Sequence, residues 1–235
     1  MTATDDHIDR LPAPALTRPT SQAERVADML RTFIIEGELA PGVRLSEERL
    51  SRKYQVSRNT LREAFRLLSR ERLLVHRMHR GVFVARPTGE DVRDLFRARR
   101  ALELPAVREA DRAPRELVEA VGAAVTEGEA ARAEEDWWRM GSANMRFHEA
   151  LAGLARSARV DEFMRQVLAE TRLVFHVMAA PKEFHDPYLP WNRRIHLALV
   201  AEDTEDAAAE LTEYLATSEE QLIRAFDAMD PAAET

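Results

Sequence analysis

Between Leu45 and Leu68 the chain offers two helices so short and so close together that only a tight corner can join them. Ser46 is a good N-cap, Glu47 and Glu48 favour a first helical turn, and Leu50 and Tyr54 fall on one side of it. That helix should stop near Gln55, because Ser57 is a second N-cap. Leu61, Ala64, Phe65 and Leu68 then recur at the helical period and predict a second helix from about Arg58 to Glu71. Upstream, Val26, Met29, Leu30, Phe33 and Ile34 mark an amphipathic helix from about Ser21 to Glu36, ended by Gly37, and Pro41-Gly42 makes the turn that follows. Downstream, Leu73 to Arg77 and Val82 to Ala85 are β-rich runs on either side of Met78-His79-Arg80-Gly81, a hairpin. Two short helices with a hairpin beside them read as a winged helix-turn-helix.

Charge says what such a head could hold. From Arg49 to Arg86 there are 11 Lys or Arg against only Glu63 and Glu71, a local balance of +9 in a chain whose total is −7. Basic stretches are commonly just solvated surface. Here caps, period, turn, wing and charge agree, and the pattern is that of a phosphate-binding face for double-stranded DNA. The second helix would present Ser57, Arg58, Asn59, Thr60 and Arg62 at its start, where a recognition helix reaches base edges in the major groove. Arg49, Arg52, Arg66, Arg80 and Gly81 complete the expected contact set, with Arg25 and Arg31 as further phosphate contacts.

The remainder is of the opposite sign. Residues 1–88 carry 16 basic and 11 acidic side chains, residues 89–235 carry 18 and 30, so the expected division falls near Arg86-Pro87-Thr88-Gly89. We expect a disordered leader over 1–20, the winged domain over 21–86, a linker over 87–89 and a second domain over 90–230. Helical periodicity recurs at about 89–110, 114–133, 134–154, 157–180, 189–202 and 204–229, which predicts a mainly α protein whose C-terminal part is an antiparallel helical bundle. Pro181, Pro187 and Pro190 predict a loop between the fourth and fifth of these. No apolar run reaches 18 residues, no secretory h-region follows the N-terminus and there is no cysteine, so a cytoplasmic protein with no membrane partner is expected. Dinucleotide, P-loop, H-E-x-x-H and nucleophile motifs are absent, which argues against an enzyme.

The head resembles the winged helix-turn-helix of the GntR family of bacterial transcription regulators, through Leu45-Ser46-Glu47, Val56-Ser57-Arg58, Leu61-Arg62-Glu63-Ala64-Phe65 and Arg80-Gly81-Val82-Phe83-Val84. Two departures are Asn59-Thr60 where Pro-Val is frequent, and Arg72 where Gly is usual before Leu73. The second part is similar to the FCD type of the FadR subfamily, through Arg99-Arg100-Ala101-Leu102-Glu103, Asn144 to His148 and the tract from Ile195 to Ala207. That resemblance implies a homodimer on a short inverted repeat, a repressor's role at the nucleoid, and a small-molecule effector, a carboxylate, bound in the helical domain. Many FCD domains hold a divalent metal, zinc, nickel or manganese, with one Asp and three His. The corresponding positions here are Asn144, His148, Asn192 and Tyr214, so one of four ligands remains. Either His148, His176 and His196 converge as a displaced metal site, or, the favoured reading, no metal is required and Arg99, Asn144, His148, Arg172, His176, Asn192, His196 and Tyr214 line a polar pocket. A helical domain that only dimerises, or a metal-dependent enzyme domain, are the alternatives.

Overall fold

The computed structural model describes residues 21–178 and 181–229; the leader expected over 1–20 lies outside them. Helix α1 (Gln22–Ile35) starts on a reciprocal capping box between Ser21 and Glu24. Helix α2 (Glu47–Tyr54) is capped by Ser46 and stopped by Gln55 in the left-handed region, φ 51°. Helix α3 (Arg58–Arg70) is capped by Ser57, whose hydroxyl accepts from the Thr60 amide. Leu30, Ile34, Leu61, Phe65, Leu68 and Leu73 are fully buried where the three helices meet.

The wing has one strand more than expected. Strands β2 (Leu74–Arg77) and β3 (Gly81–Val84) form the hairpin, and β1 (Arg44–Leu45) pairs antiparallel with the far side of β3, giving the order β1-β3-β2. Two residues are too few to show alternation, so nothing in the sequence marked β1. Arg72, between α3 and β2, has φ 56°. A positive φ there is what glycine adopts at no steric cost, which explains the residue frequent in related heads.

Among the described residues, seven α-helices build the second part: α4 (Gly89–Arg108), α5 (Arg115–Ala133), α6 (Trp137–Gly153), α7 (Ala158–Met178), α8 (Pro181–His185), α9 (Leu189–Val200) and α10 (Thr204–Met229). Helix α5 packs on α6 and α9, and α10 on α4 and α9, around Phe96, Phe147, Leu151, Ile195, Leu211 and Leu215. The loop expected from Pro181 to Pro190 is instead α8, a 3-10 turn over Asp186–Tyr188 and the start of α9. Each of the three prolines sits in the first turn of a short element, where its missing N–H has no acceptor to serve. Head and bundle share a core: Ala169 and Leu173 of α7 are buried among the head's apolar residues. Among the described residues, no helix is long and apolar enough to cross a membrane.

Candidate nucleic-acid interface and effector site

The start of α3 is open. Arg58, Asn59 and Arg62 are exposed, as are Arg49, Arg52, Arg66, Arg80 and Gly81. Ser57 and Thr60 are engaged with each other, hydroxyl to hydroxyl at 2.8 Å, so their first task is to fix the helix start that aims Arg58 and Asn59 outward. Arg62 pairs with Glu47 at 3.1 Å, Arg52 with Glu48 at 2.7 Å and Arg66 with Glu63 at 3.1 Å. These are solvent-exposed pairs of small net worth, which phosphate oxygens can replace. Arg31 corrects the expectation that it contacts phosphate. Its guanidinium grips Glu71 through two bonds of 2.6 Å and Asp28 through a third, tying α1 to the end of α3.

The four positions that family resemblance singled out do converge, at the centre of the bundle. Asn144 and His148 lie one turn apart on α6, both buried. Asn144 Nδ2 donates to the Tyr214 hydroxyl at 3.0 Å and Asn192 Nδ2 donates to Asn144 Oδ1 at 2.7 Å. The His148 and Tyr214 rings meet edge to face at 4.9 Å. Behind them Glu103, fully buried, bonds Arg99 at 2.8 Å and His148 Nδ1 at 2.7 Å. Burial works against the Glu103 carboxylate, but Arg99 and His148 outweigh it and hold its pKa below the ordinary value. Burial and the nearby Arg99 keep His148 neutral. A neutral ring facing an ionised carboxylate carries its proton on Nδ1, which leaves Nε2 as an acceptor. Burial also keeps the Tyr214 phenol protonated, well above its ordinary range.

One imidazole, two carboxamides and a protonated phenol do not fit a tight divalent metal site, because only the first is a good ligand and the others satisfy each other. The displaced three-histidine site is not formed either. His176 bonds the Ile35 carbonyl at 2.7 Å in the seam with the head, and His196 packs over Gly122 at the surface of α5, both away from His148 and Glu103. Among the described residues no three His, Asp or Glu side chains are grouped to hold a metal ion. Arg172 leaves the expected pocket as well. It bonds the Ile35 carbonyl, the Trp138 carbonyl and Ser142 Oγ, next to His176 rather than Tyr214. The single pocket foreseen from sequence is therefore a central cluster of Arg99, Asn144, His148, Asn192 and Tyr214, with Arg172 and His176 in the seam and His196 apart. Arg99 and Glu103 both pair with each other and belong to that cluster.

Sequence reasoning did not find Tyr188, whose ring lies tilted against Tyr214 with centroids 4.9 Å apart, or His185, buried on Phe175. Both lie in the proline-rich segment taken for a loop. In the central cluster Arg99 Nη2, His148 Nε2, Asn192 Oδ1 and the neighbouring Trp191 Nε1 are buried without a hydrogen-bond partner among the described residues. Buried polar atoms are normally satisfied, so these are the groups a ligand would engage.

Comparison with known proteins agrees with this layout. Residues 22–84 match the family described as bacterial regulatory proteins, gntR family, and residues 94–217 match the FCD domain. A GntR transcriptional regulator from Rhodococcus sp. RHA1 is similar in structure, with a TM-score of 0.82 and 44% identity, covering 88% of this chain and 99% of that one. The McbR/YncC protein of E. coli shares the fold, with a TM-score of 0.75 at 20% identity, over 88% of this chain and all of that one. Among curated relatives, the uncharacterized HTH-type transcriptional regulator BphR of Paraburkholderia xenovorans is 40% identical over 101 residues, and the HTH-type transcriptional repressor RspR of Escherichia coli K12 is 35% identical over 94. Those matches span 43% and 40% of this chain and 41% and 40% of the relatives.

Proposed function

This chain belongs to the GntR family of DNA-binding transcription regulators and carries an FCD domain, and from that premise we propose that it is a homodimeric repressor released or engaged by a small organic acid in the central cluster. The observation that carries the reading is the set of four buried, unpartnered polar atoms around Tyr214. Arg99 Nη2 offers a charged donor for a carboxylate, while His148 Nε2 and Asn192 Oδ1 offer acceptors for a hydroxyl or N–H, and Trp191 Nε1 a further donor. A hydroxy acid or an amino acid derivative matches that mixture better than a plain acid. The cluster works without a metal, by hydrogen bonds and one guanidinium.

On DNA, two α3 helices of a dimer would lie about one duplex turn apart, ~34 Å, and read a short inverted repeat at the nucleoid in the cytoplasm. An acid bound among α4, α6, α9 and α10 would alter the separation of the heads, with a coupling on the order of 1–3 kcal/mol. The experiment is a thermal-shift screen of hydroxy and amino acids, in metal-chelated buffer, followed by a gel shift on selected inverted repeats. At 100 times its dissociation constant the true effector stabilises the fold by about 2.7 kcal/mol and shifts operator affinity. Stabilisation only after zinc, nickel or manganese is restored would defeat the metal-free reading. No preference for inverted repeats over random duplex would defeat the operator reading.

A further inference from the structure

A cavity of about 390 Å³ opens where the head meets the bundle, between α1, α6 and α7. Its inner wall is apolar, with Ile35, Met145, Leu168 and Ala169, and Arg172 lies among them with 4% of its surface exposed. Burial chiefly, with Arg146 adding to it, lowers the Arg172 pKa to about 10, and no acidic side chain among the described residues offsets the shift. Its Nη1 has no hydrogen-bond partner among the described residues, and its other bonds go to two carbonyls and a hydroxyl. A buried cation neutralised by no carboxylate is costly, and an anion is what it lacks. The rim carries Arg31, Arg146 and Arg165 against Glu36 and Glu149; Arg31 is paired with Glu71 and Asp28 and Arg146 with Glu127, which leaves Arg165 and Arg172 as the guanidiniums with no carboxylate partner among the described residues.

The same arginine latches the head. Arg172 Nε and His176 Nε2 both donate to the carbonyl of Ile35, the last residue of α1, at 3.3 and 2.7 Å. Burial lowers the His176 pKa, so its ring is neutral and supplies a single N–H to that bond. Gly37 follows with φ 83°, and a Cβ there would stand 2.7 Å from the His176 ring. The end of α1 is thus held against α7 by two donors on one oxygen, and one of the two lines the cavity.

We propose that this seam is a ligand site distinct from the central cluster, taking a small monocarboxylate with an apolar body, whose carboxylate pairs with Arg172 and draws it from the Ile35 carbonyl. A carboxylate competes for the guanidinium more strongly than a neutral carbonyl does. Occupancy then loosens the seat of the winged head directly, at the contact between the two parts, whatever fills the cluster around Tyr214.

Trp138 is the reporter, since Arg172 lies 5.5 Å over its ring and His176 stacks on it at 5.1 Å. The full chain is titrated with sodium hexanoate, hexanamide and inorganic phosphate while tryptophan emission is followed. The expected result is a saturable response to hexanoate, at least tenfold weaker with hexanamide and with phosphate. The response should vanish in Trp138→Phe, fall at least tenfold in Arg172→Lys and in Met145→Trp, which fills the cavity from α6, and persist in Tyr214→Phe. Hydrogen exchange over the last turn of α1 should quicken on saturation. An equal response to hexanamide or to phosphate, a response untouched by Arg172→Lys and Met145→Trp, or no saturable response overturns the proposal. Loss in Tyr214→Phe would place the acid in the central cluster, which refutes this site while leaving the proposed function standing.

Discussion

Arg58 is exposed at the first position of α3, with its neighbours Ser57 and Thr60 committed to the cap. Arg58→Ala should therefore cost about 1–3 kcal/mol of operator binding and relax the preference at one base position, as a gel-shift competition would read. Arg66, two turns further on and paired only with Glu63, should act through phosphate: Arg66→Ala weakens all sequences alike and makes the salt dependence shallower by about one unit of slope. Inside the bundle, Glu103 compensates two partners. Glu103→Ala would leave Arg99 buried without its carboxylate, and urea denaturation should show a loss of about 3–5 kcal/mol. Glu170, in the seam, behaves oppositely to Glu103. Burial chiefly, with Asp91 and Asp94, raises its pKa from 4.5 to about 7 although Arg72 opposes them. With the folded value above the unfolded one, its contribution is fully present below pH 4.5 and lost as pH rises through 7. Glu170→Gln should match the parent near pH 5 and be the more stable at pH 8 in thermal melts.

At the scale of elements, the end of α3 is one of the places among the described residues where a non-glycine residue takes a positive φ. Arg72 holds φ 56°, and its side chain gains only a 3.7 Å contact with Asp94, both being well exposed. Arg72→Gly should raise stability by about 0.5–1 kcal/mol, measured by denaturant midpoint at unchanged m-value. The helices α1, α2 and α3 were legible because each begins on a serine cap and repeats its apolar residues on one face. Helix α8 and strand β1 were not, for a physical reason that differs between them. Proline marks a break in one helix and the first turn of another with the same residue, and only the packing of Phe184, His185 and Tyr188 against the bundle chooses. Strand β1 is two residues long, and its hydrogen bonds to β3 come from a partner nearly forty residues away.

For the whole molecule, the acid limb of stability should be set by histidines held neutral. His185 is pushed by burial, with Arg172 adding to it, from 6.5 down to about 3, and His148 is lowered in the same sense. A lowered folded value gives stability that is complete above pH 6.5 and lost as pH falls toward 3. His185→Phe should flatten that limb in a pH series of urea melts, provided its packing on Phe175 survives. The seam makes this more than a local matter, because Ala169, Leu173, Arg172 and His176 of α7 join the head to the bundle. The sequence by itself determined the winged head, its cationic face and the helical character of the rest, since caps, periodicity and charge act between residues close along the chain. It also marked Asn144, His148, Asn192 and Tyr214 as one site through resemblance. Only the tertiary structure decided that Arg172, His176 and His196 stand elsewhere, because which face of a helix meets which neighbour depends on how the helices pack, and a spacing of four residues cannot say across which interface a side chain will find its partner.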